Sequence, residues 1–167
     1  DQGGEWRSRV VVRLHLVLAL GRALGASREG VLGREAGQPA RGGQGVSDSP
    51  QAPFPWFGGK SKVAPVVWER FGEVTNYVEP YFGSGAVLLG RPLPFHGSET
   101  VNDADGFVAN FWRALQHEPE QVARYADYPV NECDQHARHA WLVARRTDLT
   151  RRLEGDPDYY DAKIAGW

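Results

Sequence analysis

The 167-residue chain has no methionine, one cysteine (Cys133) and only three lysines (Lys60, Lys62, Lys163) beside sixteen arginines. A lone thiol excludes an internal disulfide framework and suits a reducing, cytoplasmic setting. With no methionine even at position 1, the chain is not expected to be a complete native reading frame, and the arginine excess is typical of GC-rich coding. Charge of one sign is lacking too. A formal net charge of −2 and a pI near 6.2 exclude a strongly basic nucleic-acid wrapper, while leaving room for a local basic groove. Long apolar runs are absent. The strongest candidate, Val10 to Leu24, carries Arg13, His15 and Arg22, and its uninterrupted part from Leu16 to Leu20 is too short for a signal-peptide core or a membrane span. No membrane association is expected, and no internal repeat is visible.

What remains is uneven along the chain. Residues 1–52 show little periodicity outside Val10 to Leu24, are rich in Gly, Ser, Gln and Pro from Arg28 onward, and are expected to be a disordered or non-native extension. Organised sequence begins at Pro53. A helix is expected from an N-cap at Ser61, with Val63, Val66, Val67 and Phe71 on one face and Gly72 as its stop. Asn76 to Glu79 reads as a strand, Ala86 to Leu89 as a helix ended by Gly90 and Pro92, and Glu99 to Asn102 as a second strand. Asp105 can cap a helix with the stripe Phe107, Val108, Phe111, Trp112 and Leu115. Two further helices are expected at Pro119 to Tyr125 and Glu132 to Leu153, the second with Ala137, Ala140, Trp141, Ala144 and Leu149 facing inward. Asp156-Pro157 then opens a last helix running to Ala165. Strand, glycine turn, helix, strand ending in Asp, helix is the opening of an α/β open sheet. Two strands are too few for a parallel sheet buried on both faces.

The join from Tyr77 to Leu89 concentrates the chemistry. Gly83 and Gly85 lack a Cβ, so the backbone of the turn can come close to a ligand. Glu79 falls at the strand's carboxyl end, where open α/β sheets bind ligands. A carboxylate there repels phosphate and suits an amine, a cation or a ribose. Asp103 ends the second strand, a common place for an acid that takes ribose hydroxyls. Phe57-Gly58-Gly59-Lys60 adds a second glycine turn with a lysine directly behind it. Taken singly, the first turn can equally be structural, and the second reads more simply as a surface loop before a helix.

Together the three segments resemble a known family. Pro53-Phe54-Pro55-Trp56-Phe57-Gly58-Gly59-Lys60, Tyr77-Val78-Glu79-Pro80-Tyr81-Phe82-Gly83-Ser84-Gly85 and Val101-Asn102-Asp103-Ala104-Asp105 are similar to the DNA adenine methylases, which are S-adenosylmethionine-dependent and act on adenine in double-stranded DNA. Tyr81 stands where the family usually has Phe. The resemblance is strong over 53 to about 116; from 117 to 167 it is weaker and closest to phage-encoded branches. It implies an incomplete Rossmann-like methyltransferase sheet, two strands with flanking helices, followed by a helical segment at the start of a target-recognition region. It implies cofactor contacts at Trp56, Phe57, Gly58, Gly59, Lys60, Glu79, Pro80, Tyr81, Phe82, Gly83, Ser84, Gly85 and Asp103. Glu79 would take the methionine ammonium, Asp103 the ribose hydroxyls, and Trp56 would offer an aromatic face. Lys60 would face the carboxylate or nearby acids.

The family's catalytic loop, Asp/Asn-Pro-Pro-Tyr/Phe, holds the flipped adenine amine. Asp156-Pro157-Asp158-Tyr159 is a poor match, because Arg151 to Gly155 before it reads as a helix end and Asp158 replaces the second proline. The expectation is therefore a chain that stops before its catalytic strand, with no catalytic residue of its own. The alternative is a non-catalytic remnant or a nucleic-acid-binding module. Cys133, His136 and His139 share one helix without a fourth ligand, so no metal is expected. Arg138, Arg145, Arg146, Arg151 and Arg152 form a basic run that is either a solvated face or a contact for DNA phosphates.

Overall fold

The computed structural model describes residues 11–13, 51–92 and 96–167. Among these the elements run β1 (Val11–Arg13), α1 (Ala64–Phe71), β2 (Asn76–Glu79), α2 (Ala86–Leu89), β3 (Ser98–Asn102), α3 (Gly106–His117), α4 (Pro119–Ala126), α5 (Glu132–Gly155) and α6 (Ala162–Gly166). β3 is central. It pairs parallel with β2, from Asn76 opposite Ser98 to Glu79 opposite Val101, and antiparallel with β1, whose Val11 faces Asn102. The parallel β2–α2–β3 unit is the one expected from the sequence. The third strand is not, because three residues set among arginines carry no periodic signal. It lies within the stretch expected to be disordered or non-native; the rest of that call, 1–10 and 14–50, falls outside the described residues.

Alternation along β2 buries Tyr77 and Glu79 and leaves Asn76 and Val78 exposed, and on β3 it buries Glu99 and Val101. The helices cover that one face. Trp112 (1% exposed), Phe82 (2%), Leu88 (0%) and Val101 (2%) centre the core, with the Phe82 and Trp112 rings 4.7 Å apart. The Trp68 indole N–H donates to the Val87 carbonyl at 2.7 Å, which ties α1 to α2. Arg91 and Glu99 form a buried ion pair at 3.0 Å, and Arg91 also donates to the Leu88 carbonyl. Burial lowers the Arg91 pKa, and the facing Glu99 carboxylate works against that shift.

Several local expectations are corrected. α1 starts at Ala64 without a side-chain cap, because Pro65 fits only a first turn and residues 61–63 form a separate turn. Its buried face is Ala64 and Trp68, whereas Val63, Val66 and Phe71 are half-exposed. α5 buries only Leu149 and Leu153; Ala137, Ala140 and Ala144 lie on its exposed amino-terminal half. Alanines at helical spacing carry too little apolar area to pull that half inward. The last helix begins at Ala162, capped by the Asp161 side chain on the Ile164 N–H at 2.8 Å, and residues 157–158 form a turn. Asp105 caps α3 as expected, accepting from the Phe107 N–H at 2.8 Å.

α3 is the strut of the helical half. Asn110, fully buried, accepts from the Asp161 N–H at 2.7 Å and donates to the Asp161 carbonyl at 2.9 Å. Arg113 donates to the carbonyls of Leu153, Asp156 and Tyr159 at 3.0–3.3 Å. These two polar side chains fasten the end of α5 and the start of α6 to α3. Burial holds the Arg113 pKa below its ordinary value.

Candidate cofactor-binding site

The site forms where β2 and β3 end side by side. After Glu79 the chain must turn sharply into α2, and the Phe82 N–H first donates to the Asn102 carbonyl at 3.0 Å, one step beyond the parallel ladder. Gly83 and Gly85 then take φ of +54° and +69°, a region that L side chains avoid. Space also forbids a side chain. A Cβ on Gly83 would stand 2.7 Å from the Trp56 indole, and one on Gly85 would stand 2.9 Å from both Phe82 and Trp112. The Trp112 indole N–H closes the turn from below, donating to the Gly83 carbonyl at 2.9 Å.

Asp103 holds the turn from the side. Its Oδ2 accepts from the Gly83 N–H at 2.8 Å and its Oδ1 from the Asp105 N–H at 3.0 Å. The Gly85 N–H donates to the Phe82 carbonyl at 3.0 Å. The glycine amides that a bare reading of the motif leaves to a ligand are thus engaged within the protein, and the glycines serve close approach by Trp56 and Trp112. Asn102 adds a strap, donating from Nδ2 to the Pro80 carbonyl at 3.1 Å, while its Oδ1 is shielded from solvent with no donor among the described residues.

Glu79 is 5% exposed and carries two partners. Its Oε1 pairs with the Lys60 ammonium at 2.5 Å, and its Oε2 accepts from the Tyr77 hydroxyl at 2.7 Å. Lys60 also donates to the Tyr81 carbonyl, so one lysine bridges the acid and the turn that follows it. Burial, then the hydrogen bond to Glu79, raises the Tyr77 pKa far above its ordinary 10.0, which keeps the phenol a donor. Lys60 is delivered by a tight turn in which the Gly59 N–H donates to the Trp56 carbonyl at 2.9 Å and Gly58 takes φ of +72°.

The structure therefore gathers Trp56, Lys60, Glu79, Tyr81 through its carbonyl, Gly83 and Asp103 into one place. Phe57, at the tip of its turn, projects wholly into solvent, and Phe82 is a core residue against Trp112. Pro80 and Tyr81 present exposed side chains, and Ser84 is buried. Sequence reasoning missed Tyr77 as a partner of Glu79. The signal was available, since residues two apart on a strand share a face. Asp156-Pro157-Asp158-Tyr159 follows helix α5, its carbonyls at Asp156 and Tyr159 held by Arg113 of α3.

A buried acid and a second carboxylate stand at the carboxyl edge of a parallel βαβ unit, with an exposed indole beside a glycine turn. Residues 56–150, more than half of the chain, match the D12 class N6 adenine-specific DNA methyltransferase family, and the chain belongs to it. Comparison with curated proteins and with solved structures gave no match.

Proposed function

We propose that the Glu79–Gly83–Asp103 cradle binds S-adenosylmethionine, within a Rossmann-like methyltransferase sheet whose first parallel strands are β2 and β3. The observation that carries this is the meeting of two carboxylates at one sheet edge. Their charge disfavours a nucleotide phosphate and fits the donor's ammonium and ribose hydroxyls. Donor chemistry fits elsewhere as well: Asn102 Oδ1 is an unmet acceptor beside Asp103, and the Trp56 indole, 42% exposed, leaves one face open to an aromatic ring or a sulfonium. When bound, the cofactor supplies an electrophilic methyl group.

The chain's own part is to bind and orient. Tyr77 fixes one oxygen of Glu79, so the other is the one exchanged between Lys60 and a ligand ammonium. Asp103 keeps two acceptor lone pairs beyond those used by Gly83 and Asp105, enough for a ribose diol. Lys60 then moves to the ligand carboxylate or stays on the Tyr81 carbonyl. In the complete enzyme the methyl group goes to the N6 amine of adenine in double-stranded DNA, in the cytoplasm; among the described residues no helix is long and apolar enough to cross a membrane.

This chain alone is proposed to bind cofactor without turnover, as part of a longer enzyme. In support, Asp156-Pro157 follows a helix rather than a strand, and Val78 stands 66% exposed on a sheet face that a doubly wound fold would cover. Two measurements test the reading. S-adenosylmethionine should compete for the site while ATP should not, and tritiated methyl transfer to duplex DNA by the purified chain should stay at background. ATP binding at equal strength would refute the cradle. Sustained methylation would refute the fragment reading and bring Asp156 back as a catalytic residue.

A further inference from the structure

The two acids of the cradle are held in different ways. Asp103 accepts from the backbone amides of Gly83 and Asp105, which are neutral donors and leave it an anion with free lone pairs. Glu79 is held by side chains instead. The Tyr77 hydroxyl takes Oε2 at 2.7 Å, and the Lys60 ammonium takes Oε1 at 2.5 Å. The phenol is buried with the acid, whereas the lysine is the solvent-side member of its pair, with its side chain 34% exposed against 6% for Glu79. A ligand cation that approaches Glu79 from solvent therefore meets a cation of the chain already in place.

Lys60 is built to exchange without disturbing the frame. Its carbonyl accepts from the Val63 N–H at 3.1 Å and the Ala64 N–H at 2.9 Å, and the Gly59 N–H before it donates to the Trp56 carbonyl at 2.9 Å. The backbone is thus pinned to the start of α1, and only the flexible stem has to move. The Tyr81 carbonyl gives the ammonium a second acceptor, so it can leave Glu79 without losing every partner. The thermodynamics of that exchange depend on what the incoming ligand carries. A simple amine replaces one ion pair by another of the same kind, against a tethered competitor at high effective concentration, and gains nothing. A ligand with a carboxylate a few atoms from its ammonium offers the displaced lysine a new partner, so the exchange gains an ion pair.

We propose that Lys60 is a specificity-determining residue: an internal cation that occupies Glu79 in the free protein, excludes amines that lack an attached carboxylate, and yields only to an amino-acid end that carries both charges. This rests on the reading of the cradle as a methyl-donor site and adds to it the active rejection of ligands that bring the ammonium alone. Specificity here comes from a competitor that the wrong ligand cannot repay, rather than from a further contact to the right one.

The test is calorimetric titration of the full chain with three adenosine thioethers. S-adenosylhomocysteine carries both charges, its decarboxylated analogue carries the ammonium alone, and methylthioadenosine carries neither. Wild type should bind the decarboxylated analogue no more tightly than methylthioadenosine. Lys60→Met should bind that analogue about tenfold more tightly than wild type does, because a charge-assisted hydrogen bond to a buried carboxylate is then gained without a competitor. Methylthioadenosine should bind the two proteins equally. A lysine that served only to receive the ligand carboxylate would weaken S-adenosylhomocysteine when removed and leave the amine analogue unmoved. Lys60→Gln keeps a neutral donor for Glu79 and carries the same comparison if Lys60→Met does not fold. An amine analogue bound equally by wild type and the folded variant, or bound by wild type as tightly as S-adenosylhomocysteine, would overturn the proposal. The two ideas fail separately: S-adenosylhomocysteine binding with an unmoved amine analogue refutes the role of Lys60 alone, and no binding of any of the three to folded wild type refutes the cradle and the proposal with it.

Discussion

Tyr77→Phe removes one oxygen atom from the support of the site and nothing else. The ring stays packed 4.9 Å from that of Trp68, but the 2.7 Å hydrogen bond to Glu79 Oε2 is lost and a carboxylate that is 5% exposed keeps one partner in place of two. A hydrogen bond to a charged acceptor contributes about 1.5–3 kcal/mol, so urea unfolding at pH 8 should show a loss of about 2 kcal/mol. The pH dependence gives an independent handle. Tyr77 has a folded pKa raised above 10.0, so the unfolded chain releases this proton first. The stability it contributes is complete below pH 10 and is lost as pH rises beyond that, at up to about 1.4 kcal/mol per pH unit. Tyr160, whose pKa is also raised by burial, titrates in both proteins and cancels in the difference. The gap between wild type and Tyr77→Phe should therefore narrow from about 2 kcal/mol at pH 8 to under about 1 kcal/mol at pH 11. A variant as stable as wild type at pH 8, or a gap that does not change with pH, would show that the phenol does not support Glu79.

Two substitutions test the frame around the site. Gly85→Ala combines a left-handed backbone, costing about 1–2 kcal/mol, with overpacking against Phe82 and Trp112 at 2.9 Å, costing about 1–3 kcal/mol more; chemical denaturation should show a loss of about 2–5 kcal/mol. Asn110→Ala deletes both hydrogen bonds to the Asp161 backbone and should destabilise the protein by about 2 kcal/mol. Hydrogen exchange should then rise in residues 161–167 well before it rises in the β2–β3 ladder.

The sequence reveals the parts of this molecule whose signal is local. Gly85 before an apolar run, Asp105 two residues before Phe107, and the Phe107 to Leu115 stripe each state their structure within a few residues, and each forms as read. The carboxylates at the strand ends are legible for the same reason, since Glu79 and Asp103 sit where two short β segments stop. Contacts between distant segments are not legible. The resemblance sets Lys60 against a ligand carboxylate or nearby acids without saying which, and nothing in Asp103 indicates that it clasps the Gly83 amide, because both depend on how the turn is folded back over the sheet. The α5 face illustrates the opposite error: alanines at helical spacing mimic a buried stripe, but their small area leaves the burial to Leu149 and Leu153. β1 lay beyond reach altogether. Three residues become a strand only because β3 offers an edge to pair with.

The central claim is that two carboxylates at the end of β2 and β3 bind the methyl donor. Its most direct measurement is calorimetric titration of S-adenosylhomocysteine into the chain and into its Asp103→Asn variant, with folding of both verified by circular dichroism. The account predicts saturable one-site binding to wild type and affinity at least tenfold weaker in the variant, where an amide replaces the acceptor facing the Gly83 N–H and the ribose. Equal affinity in the two proteins, or no binding heat in a folded wild type, would contradict it.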